Sequence, residues 1–212
     1  MTELPEMPKA STSPLPVTML RQTTELPAEH LVNAFEGAPT CAGYLQVLSK
    51  MGVLVGDFYL LLGQSRPARP LPAGVPQGVA KQCYKNAGVL ALESAGAAYT
   101  YCEGYALRKG LIPVHHAWCL DAQGHVVDPT WPFEEGNEYL GVAFEYQTLV
   151  RYCLDHGVWG MLSEALSPFV VRNHPQSYLH SRWRVTQERQ DLFWDRLQAA
   201  RSKDAPPVST NS

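Results

Sequence analysis

Two β-prone runs, 113–120 and 125–130, stand either side of Asp121-Ala122-Gln123-Gly124. No other segment restricts the fold as much, because so short a turn joins antiparallel neighbours. Gly124 suits the left-handed position that closes a three-residue hairpin loop. Such a loop pairs residues whose numbers have an even sum. Side chains alternate faces along a strand, so His116 and Trp118 point one way while Ala117 and Cys119 point the other. In the returning strand Val126 and Asp128 share a face. His116 and Asp128 therefore fall on one face, within diagonal reach; a two- or four-residue loop would part them.

The rest of the chain supplies helices around this hairpin. Residues 1–23 are rich in Pro, Ser and Thr without periodicity and read as a disordered tail. Pro27 can open a helix through Leu31, Val32 and Phe35 that Gly37 stops. Thr40 can cap a second through Leu45, Leu48 and Met51 to Gly52, and a third apolar segment ends at Gly63. Residues 63–80 carry four prolines and three glycines. They read as a linker or as a cleft-lining loop, the second being favoured because they run directly into Cys83. From Cys83 to about residue 94 the pattern is helical, with Tyr84, Ala87, Leu90 and Ala91 on one face. Gly88 in its middle costs about 1 kcal/mol against Ala, which implies close approach by a neighbouring backbone. Gly96 ends this helix. Further strands are expected at 99–107 and 140–146, and helices at 147–156, 161–166 and 186–200. The division is a tail over 1–23, one domain over 24–201 and a disordered end over 202–212.

Composition excludes several classes. The 212 residues can bury a sizeable core. A net charge of −3 offers no basic field for nucleic acid or an anionic membrane. Late arginines (Arg182, Arg184, Arg189, Arg196, Arg201) read as the solvated face of a C-terminal helix. The N-terminus lacks the basic and apolar regions of a secretory signal, and the apolar run 58–62 is too short to span a bilayer. Five cysteines make an odd set without framework spacing, which points to reduced thiols in a cytoplasmic setting.

Three short segments carry the chemistry. They are Gln82-Cys83-Tyr84-Lys85-Asn86-Ala87, His115-His116-Ala117-Trp118 and Val127-Asp128-Pro129-Thr130-Trp131. A thiol is a weak nucleophile until an imidazole takes its proton, and a carboxylate behind the imidazole fixes its tautomer. Cys83 at a helix start gains from the free N–H groups and dipole there, which favour thiolate. Its own N–H would face the oxyanion formed on a carbonyl, with Gln77 or Gln82 as the second donor. Trp118 and Trp131 either shape an acyl-binding cleft or fill the core. Tyr101, Glu103 and Tyr105 alternate on one strand face and could line a pocket. Cys102, His116, Cys119 and His125 lie close together, but His116 and Cys119 face opposite sides of a strand and no CxxC or HxxxH pair exists, so no metal site is expected.

In the order Gln82-Cys83-Tyr84, Glu103-Gly104-Tyr105-Ala106, His116-Ala117-Trp118 and Asp128-Pro129-Thr130-Trp131, the chain resembles the transglutaminase-like superfamily across about residues 77–145. Tyr84 stands where that family often has Trp, and counts as a further substrate-contact candidate. The resemblance implies an α+β, papain-like fold: a nucleophile helix packed on a mostly antiparallel sheet, with added N- and C-terminal helices. It also implies Cys83 as nucleophile, His116 as base and Asp128 as orienting acid, with no cofactor. The expected activity is that of a peptidase or amidase acting on a peptide, protein or small amide. The alternatives are a protein-glutamine transglutaminase or other amine acyltransferase on the same triad, and a non-enzymatic interaction domain keeping the fold. Oligomeric state is left open.

Overall fold

The Thr40 hydroxyl accepts the Gly43 N–H at 3.0 Å and starts the first helix, α1 (Cys41–Lys50). Gly52, in the left-handed region at φ 75°, turns the chain into α2 (Leu54–Leu62). Gly56 lets α2 lie against α1, since a Cβ there would sit 2.5 Å from the Ser49 nitrogen. The computed structural model describes residues 40–109, 111–162 and 166–203. The tail over 1–23, the helix expected from Pro27 to Gly37 and the end beyond 203 lie outside them. No helix among the described residues is long and apolar enough to cross a membrane.

Five strands follow: β1 (Gln64–Ser65), β2 (Thr100–Leu107), β3 (Val114–Leu120), β4 (Val126–Val127) and β5 (Glu138–Ala143). They form one antiparallel sheet in the order β1-β5-β2-β3-β4. The 63–80 stretch is thus not wholly irregular. Beyond β1, the Val126 N–H donates to Pro67 O at 2.8 Å and the Arg69 N–H to Val126 O at 3.2 Å. A segment starting on the β5 edge thereby reaches the β4 edge and curls the sheet. Its inner face holds Cys102, Ala106, Trp118, Leu120, Val126, Tyr139 and Ala143. Gly104 pairs with Gly141, and the Trp118 indole lies over both; a Cβ on either would come within 2.8 Å of that ring.

The helices cover the outer face. The helix α3 (Cys83–Glu93) buries Ala87 and Ala91 there, and the Cys119 thiol donates to Ala87 O at 3.3 Å. Gly88 does mark a close approach, but the neighbour is the Trp159 indole rather than a backbone: a Cβ added at Gly88 would lie 2.5 Å from that ring. After α4 (Tyr146–His156), the helix expected at 161–166 is not formed at Met161 and Leu162, which bend instead. Both backbone N–H groups donate to the buried Glu103 carboxylate, Leu162 at 2.8 Å. A carboxylate in β2 outcompeted helix formation there. Short helix α5 (Pro168–Arg172), capped by Ser167, was not anticipated. The last helix, α6 (Gln187–Lys203), docks on α2 through Phe193 against Phe58 at 5.2 Å. Arg196 pairs with Asp57 at 3.2 Å and Arg189 donates to Leu60 O, so two of the late arginines join helices rather than only facing solvent.

Candidate active site

The hairpin turns as its parity requires. Cys119 pairs with Val127 and Leu120 with Val126, both even sums, and Gly124 sits at φ 83°. The strand expected to reach residue 130 ends at Val127, because Asp128 takes over the backbone. Its Oδ1 accepts the N–H groups of Thr130 at 2.8 Å and Trp131 at 3.1 Å, and Pro129 has no N–H to offer a ladder. Oδ2 accepts from His116 Nε2 at 2.7 Å and from the Tyr139 hydroxyl at 3.0 Å. With four donors aimed at it, the buried carboxylate is fixed in place.

That geometry sets the imidazole. Nε2 is committed to Asp128, and the Cys83 thiol is close enough to the ring to shift its pKa. Trp131 stacks on the ring at 4.1 Å and 21° and keeps bulk water from that face. Burial alone would push the His116 pKa down. Hydrogen bonds to Asp128 and Cys83, with their charges, win and raise it to about 9.

Cys83 opens α3, as expected. Lys81 adopts φ 65°, unusual for a side chain with a Cβ, to swing the chain into the helix, and Gln82 stands at the N-cap without a side-chain cap. The half-buried thiol meets the His116 ring and the backbone N–H groups of Ala117 and Tyr84. Burial raises its pKa, but these partners outweigh burial and the net shift is downward. The other four cysteines go the opposite way through burial: Cys41 reaches about 12, and Cys102, Cys119 and Cys153 are also raised. All five thiols are unpaired.

The remaining expected residues divide. Gln77 is near the site: its amide donates to Pro129 O at 3.0 Å, one residue from Asp128. The 63–80 loop is tied there again by the Gly78 N–H on Pro129 O, which fits a cleft loop rather than a linker. Gln82 is exposed at the helix tip. The Tyr84 hydroxyl bonds Nδ1 of His115, the neighbour of His116. Trp118 is enclosed within the curled sheet at 1% exposure and is core, whereas Trp131 belongs to the site. Glu103 and Tyr101 are buried beneath the helices, joined by a 2.8 Å hydrogen bond, and line no open cleft. Among the described residues no three metal-ligating side chains converge.

Two supports went unnoticed in the sequence. Asn86 donates to Val79 O at 2.7 Å and to Thr130 Oγ1 at 3.0 Å, joining α3 to the loops on both sides. Its position three after Cys83 was a usable sign, since i and i+3 share a helix face. Tyr139 gave none, because its place beside Asp128 depends on the pairing of β5 with β2. A small pocket lies beside Asp128, lined by Arg69, Leu71, Trp131 and Phe133 among others. No family model matches the chain, and neither does any curated protein or solved structure.

Proposed function

We propose that this protein is a cysteine-nucleophile enzyme on a papain-like, transglutaminase-like core, cleaving an amide bond as a peptidase or amidase. The observation that carries the reading is His116 held between Asp128 and Cys83, at the one cysteine whose pKa is lowered. Thiolate Cys83 attacks the amide carbonyl carbon and a C–S bond forms. Negative charge on the carbonyl oxygen meets the Cys83 N–H at the start of α3, and the Gln77 amide has a second hydrogen to give beyond the one on Pro129. The C–N bond then breaks as His116 passes its proton to the departing amine. Water, deprotonated by His116, cleaves the thioester, releasing the acid and restoring the ion pair. Cys83 is only partly buried, and hydrolysis is favoured because a transferase must exclude water, which is always available.

Iodoacetamide labelling followed by mass spectrometry tests the pair directly. Cys83 is expected to alkylate at pH 6 at least about tenfold faster than an ordinary thiol, whose pKa lies near 8.5. His116→Ala is expected to abolish that advantage. Equal rates in the two chains refute the reading. Incubation with amides, thioesters and amines, with the mass of Cys83 as readout, then separates hydrolysis from transfer.

A further inference from the structure

Behind the sheet, the residues next in sequence to Cys83 and His116 are joined to each other. The Tyr84 hydroxyl bonds Nδ1 of His115, and the Tyr59 hydroxyl bonds Nε2 at 2.6 Å. We propose that His115 is a positioning residue: held between Tyr59 and Tyr84, it sets the reach of the Cys83 sulfur to His116.

Successive residues of β3 face opposite ways, so His115 can grip α3 from the outer face while His116 serves the site on the inner one. Tyr59, wholly buried on α2, is the fixed end; α2 itself is backed by α6 through Phe58 and Phe193. Tyr84 is the adjustable end, one residue into α3 after Cys83. Its ring is confined on another side by Gly160, where a Cβ would come within 3.0 Å. With both ring nitrogens on hydroxyls, a neutral imidazole satisfies the set: one nitrogen donates and the other accepts. Tyr105 presents its ring edge at 5.4 Å, and the charge of His116 one residue away opposes a second cation. Burial, with that charge, lowers the His115 pKa to about 4, so the clasp keeps one protonation state through the range in which Cys83 works. An apolar residue at 115 would leave the enclosed Tyr59 hydroxyl without this partner.

Given the Cys83–His116 pair proposed above, the readout is the pH midpoint of Cys83 alkylation by iodoacetamide, measured in chains whose melting shows them folded. Tyr84→Phe, which keeps the ring and deletes the bond, is expected to raise the midpoint by about one unit and slow labelling at pH 6 about tenfold. His115→Phe is expected to do the same, and His115→Gln, which can still donate and accept, to recover most of the wild-type profile. A purely packing role predicts no movement of the midpoint in either Phe variant. Wild-type profiles in the folded Phe variants overturn the clasp while leaving the ion pair standing. If His116→Ala also retains the wild-type profile, the ion pair fails and the clasp with it.

Discussion

Asp128 shows how much one residue decides here. Its two oxygens end a strand, cap a turn and orient an imidazole, and the neighbouring proline only makes the first of these easier. Asp128→Ala is expected to free His116, leave the Thr130 and Trp131 N–H groups without their acceptor and return Cys83 toward an ordinary thiol. Loss of a triad carboxylate lowers turnover on the order of 10⁴-fold, and under the function proposed above the same scale is expected for amide cleavage by this variant. Single-turnover acylation of Cys83 measures it; a loss below about tenfold would mean that His116 is oriented by something else.

At the scale of elements, two closely packed glycines, Gly104 and Gly88, differ in what surrounds them. At Gly104 an added Cβ would lie 2.2 Å from Leu140 O and 2.4 Å from the Gly141 Cα, backbone that cannot retreat without opening the β2–β5 ladder. At Gly88 the obstacle is the edge of the Trp159 indole, a side chain 37% exposed and able to swing outward. Alanine at 88 also gains about 1 kcal/mol of helix propensity. Urea unfolding should therefore show Gly88→Ala near wild type and Gly104→Ala destabilised by about 3 kcal/mol, at the upper end of ordinary overpacking. Equal effects would show that the ring is as fixed as the backbone.

The hairpin and α3 were legible at this same scale because both are local. Turn length sets face parity, and a helix start is marked by its own residues. The 161–166 segment misled because its apolar spacing suits a helix, while the carboxylate that holds Met161 and Leu162 in a bend is 58 positions before Met161. β1 was lost in a proline-rich stretch for a similar reason. Two residues of strand have no periodicity, and only the β5 edge makes them one.

For the whole molecule, the buried Glu103 and the partly buried His115 on the helical side titrate in opposition. Glu103 rises from 4.5 to about 7: burial raises it, partly countered by the Met161 and Leu162 N–H groups and Tyr101. Between those values the folded chain keeps a proton that the unfolded chain has released, so this contribution falls as pH rises. His115 drops from 6.5 to about 4; there the unfolded chain holds the extra proton, and stability rises with pH. Each slope is at most about 1.4 kcal/mol per pH unit, and the two cancel where they overlap. Glu103→Gln removes one of them. Relative to that variant, wild-type stability in urea should decline steadily from pH 4.5 to 7, other groups cancelling in the difference. A difference that is constant with pH would show that Glu103 does not ionise within the fold.

The sequence by itself determined the short-range facts: a helix beginning at Cys83, a hairpin of fixed parity, and hence His116 and Asp128 on one face. Those follow from backbone geometry over a dozen residues, where alternation and turn chemistry leave little freedom. Only the tertiary structure decided that Trp118 is core while Trp131 covers the imidazole, and that Tyr84 serves His115. These depend on strand register and on helices docked from distant parts of the chain. Burial and hydrogen-bond partners are properties of that packing, and no local pattern encodes them.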